Sequence, residues 1–160
     1  MPKEVMDRRA SDNEYLHRDF HGALSSALIY LEDQFGPDAV REYLHEFARK
    51  YYAPLREDLA ERGLEALADR LRRVYEDEGA DLCIELDSDG LIVEVEACPA
   101  VTHMREHGYE VAPMWRETIR SVNEGICEGS AYQFELLEYC DQTGASKGRF
   151  SRRSEDGEAQ

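Results

Sequence analysis

Apolar residues recur every three or four positions through the first half of the chain and at alternate positions later on. In DNEYLHRDFHGALSSALIYLEDQFG, residues 12–36, His17, His21, Leu24, Leu28 and Leu31 follow one another at helical spacing and make a single stripe. Ser11 or Asp12 can cap this helix, and Gly36 ends it with Pro37 in the first turn of the next. The second helix, over 38–52, carries Val40, Tyr43, Leu44, Phe47 and Tyr51 on its apolar face and is closed by Pro54. A third helical stretch, 55–77, is interrupted at Gly63 and gathers Leu64, Leu67, Leu71, Val74 and Tyr75 on one side.

The pattern then changes. DLCIELDSDGLIVEVEACP alternates Leu82, Ile84 and Leu86 with polar residues, turns at DSDG and returns with Ile92, Glu94 and Glu96, a hairpin signal. AVTHMREHGYEVAP reads as a loop with one helical turn, followed by a helix over 113–126. SAYQFELLEYCD and KGRFSRR are two more strands joined by QTGAS. The strands are expected near 81–87, 91–98, 130–140 and 147–152. This order predicts an α+β fold: N-terminal helices packed on a mainly antiparallel four-stranded sheet, with one further helix between two hairpins. Residues 1–152 are expected to form a single domain, followed by a disordered acidic tail over 153–160.

Acidic residues outnumber basic ones 35 to 19 in the 160-residue chain, a formal net charge of −16. Polyanions would be repelled, so neither nucleic acid nor an anionic membrane is an expected partner. No stretch approaches the ~20 apolar residues of a membrane span, and MPKEVMDRRASDNE has no apolar signal core, so a soluble cytoplasmic protein is expected. A homo-oligomer is compatible with the sequence. The four cysteines lack CxxC spacing and are expected as free thiols. Cys83 and Cys140 read as small core residues of strands, whereas Cys98 and Cys127 stand at element ends, where chemistry is often presented.

Three stretches offer chemistry. His17 and His21, four residues apart on one helical face, can bring two ring nitrogens to one divalent metal, zinc being the best match; they can equally be core histidines satisfied by carbonyls, Asn13, Asp19 or a tyrosine. In EVEACPAVTHMREHG, Cys98 leaves a strand and His103 follows five residues later, with His107 one turn beyond. Thiol and imidazole could make a nucleophile–base pair, or Cys98 could join the histidines on a metal. In SVNEGICEGSAYQFE, Gly125 and Gly129 bracket Cys127, and Asn123, Glu124 and Glu128 stand close in sequence. The resulting assignment has Cys98, His103 and Glu124 catalytic, Asn123, Cys127 and Glu128 binding ligand, and His17, His21 and Cys98 holding metal. It requires one pocket between the first helix and the sheet, with Cys98 and Cys127 near one sheet end if the second and third strands are neighbours.

VEVEACPAVTHMREHG paired with NEGICEGSAYQFELLEY resembles the L-2-amino-thiazoline-4-carboxylic acid hydrolase-like family and, more distantly, the 4-vinyl reductase domain, over roughly residues 90–140. The shared features are a strand ending in Cys98–Pro99, a helix, and Cys127 near the start of the next strand; EGICEGS stands where that family has a Cys followed shortly by Asp. The resemblance implies helices packed on an antiparallel sheet with a small-ligand pocket between them. It also implies one of two functions. One is hydrolysis of a small cyclic amide-like or amidine-like substrate, with Arg18, Arg105 or Arg116 available to a carboxylate; the other is a non-catalytic, sensor-like module that binds a metal or small ligand.

Overall fold

The computed structural model describes residues 14–154, without the side chains of 14–17 and 19. The expected caps Ser11 and Asp12, the imidazole of His17 and positions 155–160 of the expected tail lie outside the described residues. Helices α1 (Glu14–Phe35), α2 (Pro37–Tyr51), α3 (Ala53–Arg62) and α4 (Leu64–Asp77) precede strands β1 (Cys83–Leu86) and β2 (Gly90–Val95). Then come α5 (Pro99–Glu106), α6 (Glu117–Cys127), β3 (Tyr132–Tyr139) and β4 (Ser146–Arg152). The fold is α+β, with the helices before and between two antiparallel hairpins of one sheet.

Local chemistry accounts for most of these boundaries. Pro37 stands in the first turn of α2, and Gly63, at φ 68°, turns the chain between α3 and α4 in a region that favours glycine. On α1, Leu28 is fully buried, and His21, Leu24 and Leu31 lie half-buried on the expected stripe. On α2 the expected face is corrected. Tyr43 and Tyr51 are exposed, and the buried line is Val40, Leu44 and Ala48. The reason is the closeness of α6, where a Cβ added at Gly125 would stand 2.8 Å from that of Ala48. Gly125 therefore lies inside α6 for close packing, and the turn after that helix belongs to Gly129 at φ 75°.

A buried carboxylate fastens the same seam. Glu117, only 2 % exposed, accepts hydrogen bonds from Ser121 Oγ at 2.6 Å and from Arg120 at 2.7 Å, with Arg41 of α2 at 3.6 Å. Further corrections concern α5 and α6. Where a loop with one helical turn was expected, Cys98 and Pro99 start an eight-residue helix that buries Ala100, Val101, His103 and Met104. The following helix starts at Glu117, because residues 112–116 are occupied by a tight turn in which Trp115 N–H donates to Ala112 O at 2.9 Å.

The sheet order is β1-β2-β4-β3, with every neighbouring pair antiparallel. The second and third strands are therefore not neighbours. Helix α6 carries the chain back along the sheet, so β3 runs in the same direction as β2, and only β4 can fill the antiparallel place between them. Cys98, beyond the end of β2, thus shares a sheet end with Tyr139, whereas Cys127 precedes β3 at the other end, on the order of 25 Å away.

The remaining cysteines also depart from expectation. Cys83 and Cys140 are exposed, the first on the edge strand and the second just past β3, while Cys127 is fully buried. At the start of the expected tail, Arg153 is held by its backbone bond to Ala131 O and by its guanidinium on Tyr132 O. No helix among the described residues is long and apolar enough to cross a membrane.

Candidate functional site: a cavity beside Cys98

Cys98 sits where strand becomes helix. Its N–H donates to Thr143 O at 3.0 Å, and the Gly144 backbone lies so close to its Cβ that no side chain fits at that position. The thiol accepts hydrogen bonds from the N–H groups of Val101 and Ala100 and from the indole of Trp115, but burial outweighs them and pushes it above the ordinary thiol range, with Glu78 acting in the same direction. Tyr75 and Tyr139 both lie within electrostatic reach of this thiol. Burial, with Cys98 as the next contributor, pushes both phenols up, Tyr139 to about 12.

His21 reaches the same surroundings from α1. Its Nε2 lies 3.7 Å from a Glu78 carboxylate oxygen, and its ring meets Trp115 edge-on at 6.5 Å between centroids. His21 and Cys98 therefore share Glu78 and Trp115 as neighbours. His103 is buried on α5 with its ring 4.1 Å from that of His107, on a groove that also includes Glu78, Glu96, Glu106 and Arg18.

The other expected site residues are dispersed. Glu124 lies 3.4 Å from His45 of α2, and Glu128 pairs with Arg49 at 3.3 Å while its carbonyl accepts from Arg56. The buried Cys127 thiol is pushed up to about 12, chiefly by burial. These three stand at the far sheet end from Cys98, so Cys98, His103 and Glu124 do not form one catalytic set. Of the expected arginines, Arg105 caps the carbonyls of Gln142 and Asp141, and Arg116 pairs with Asp141 over the ring of Tyr139.

Among the described residues no three His, Cys, Asp or Glu side chains gather in a way that could hold a metal ion. Of the expected zinc ligands, His21 and Cys98 share Glu78 and Trp115 as neighbours, and the side chain of His17 lies outside the described residues.

Asn123 has a different setting. It lines a cavity of about 200 Å³ between α3, α4, α6 and the inner face of the sheet, open to solvent on one side. Leu71, Val74, Val122, Ile126, Val93 and Phe150 supply apolar wall, and Tyr52, Arg70, Tyr75, Thr118 and Ser146 bring polar groups to it. Tyr75 connects the cavity with Cys98. Sequence reasoning missed Arg70, Glu78 and Trp115. A signal existed for Arg70, which falls between Leu67, Leu71 and Val74 on the apolar face of α4. The chain matches no protein-family model and no curated protein.

Proposed function

We propose that this protein is a binding module for a compact, largely apolar small molecule, the reading that the distant likeness to the 4-vinyl reductase domain suggests. The cavity beside Asn123 and Tyr75 carries this proposal. Its 200 Å³ exceeds the ~150 Å³ that accommodates benzene. The cavity is open to solvent on one side, so a ligand of that size can enter it, and the wall formed by Leu71, Val74, Val122, Ile126, Val93 and Phe150 favours an apolar body, with a few polar groups at its margin.

Binding is preferred to hydrolysis because the Cys98 thiol, pushed up by burial, is protonated at neutral pH and a poor nucleophile. Toluene titrated into the protein is expected to raise Tm and shift methyl NMR signals of the cavity. Val122→Phe, which fills the space, should abolish both effects while the folded spectrum persists. Absence of toluene binding, or binding unchanged in Val122→Phe, would overturn the proposal. So would turnover of 2-amino-thiazoline-4-carboxylate that disappears in Cys98→Ser.

A further inference from the structure

Arg70 stands where the internal cavity meets the surface. Together with Tyr52 and Leu55 it lines both that cavity and an outer groove of about 380 Å³ running between α3 and α4. An arginine that only lays its stem over apolar surface keeps its head in water. Arg70 instead is half-buried, acts electrostatically on the phenol of Tyr52 and contributes to the cavity wall.

The acidic residues of the groove are engaged elsewhere. Asp58 pairs with Arg62 at 3.4 Å, and Asp69 is shared between Arg62 at 2.5 Å and Arg72 at 3.5 Å. Among the described residues no carboxylate pairs with Arg70. In a chain of net charge −16, the groove nonetheless sets three arginines, Arg62, Arg70 and Arg73, against two aspartates. A guanidinium left without a carboxylate beside an apolar void is a receptor for an anion with an apolar body, because its planar fork matches a carboxylate with two parallel hydrogen bonds.

We infer that the ligand is a compact apolar monocarboxylate, its ring-sized body in the cavity and its carboxylate on Arg70. This inference rests on the binding function proposed above and adds the chemical class of the ligand. Tyr52 lines both the cavity and the groove beside Arg70, and entry is through the α3–α4 groove. Lysine would be a poor replacement, since an ammonium offers a point charge without the fork.

Benzoate, its neutral isostere benzamide, and toluene separate the contributions. With the wild-type protein, benzoate is expected to bind at least about tenfold more tightly than benzamide, by calorimetry or NMR titration. Arg70→Gln should bring benzoate down to the benzamide level and leave benzamide and toluene unchanged, which also reports that the variant is folded; Arg70→Lys should fall between. Equal binding of benzoate and benzamide by the wild type, or benzoate binding unaffected by Arg70→Gln, overturns the carboxylate assignment while toluene binding leaves the cavity function standing. If none of the three binds, both fall.

Discussion

The Nε2 atom of His21 lies 3.7 Å from a carboxylate oxygen of Glu78 and so joins α1 to the C-terminal end of α4. An imidazole in a leucine stripe has its reason here: the stripe crosses a carboxylate that is itself only 10 % exposed. His21→Leu is expected to destabilise the protein by up to about 1 kcal/mol, the scale of a loosely paired imidazole and carboxylate. A double-mutant cycle with Glu78→Gln, read from urea midpoints, should give a coupling of at least about 0.5 kcal/mol. Additive single effects would mean that the two side chains are merely adjacent.

Three of the four thiols should differ in reactivity. Cys140 is exposed, and hydrogen bonds from the Thr143 side chain and from the N–H groups of Thr143 and Gln142 lower its pKa. Burial raises those of Cys98 and Cys127. Iodoacetamide at neutral pH is expected to modify Cys140 about tenfold faster than Cys98, with Cys127 last. Peptide mass mapping over time checks this order, and a Cys98 that reacts first would point back to nucleophilic catalysis.

Removing a partner of Glu117 should cost more than neutralising Glu117 itself. Arg120→Met leaves a carboxylate that is 2 % exposed with the Ser121 hydroxyl and the more distant Arg41. The expected loss is about 3 kcal/mol, at the lower end for a broken buried pair because the guanidinium is part-exposed. Glu117→Gln removes the buried charge and should lose about half as much. Equal denaturant midpoints for the two variants would refute this ordering.

Alkaline pH should weaken the fold through Cys127. Its folded pKa of about 12 lies above the ordinary ~8.5 of a thiol in the unfolded chain. The stabilisation is fully present below the unfolded value and is lost as pH rises through that value towards the folded one, since the unfolded state releases its proton first. Between about pH 8 and about pH 10.5 Cys127→Ala should lose about 2 kcal/mol less than the wild type, measured from urea midpoints. Parallel losses in both proteins would show that this thiol does not carry the effect.

Helices, strands and turns were legible in the sequence wherever a local rule sufficed. The leucine spacing of α1 and α4, Pro37 and Gly63 at helix starts, and the Asp87–Gly90 turn between β1 and β2 all depend on residues within a few positions of one another. Where a partner far along the chain intervened, local pattern misled: Tyr43 and Tyr51 share the helical spacing of α2, but α6 approaches at Ala48 through Gly125 and leaves both tyrosines outside.

The candidate site lies mostly on the non-local side of that division. Cys98, His21 and Asn123 could be singled out by residue type and spacing, but whether Cys98 met Cys127 depended on strand order, and β4 between β2 and β3 put them at opposite ends. The sequence by itself determined the elements and the α+β class, because periodicity and turn chemistry act within a few residues. Only the tertiary structure decided that Glu78 and Trp115 adjoin both His21 and Cys98, and that Arg70 faces a cavity, because burial and charge pairing depend on side chains that the chain brings together from distant segments.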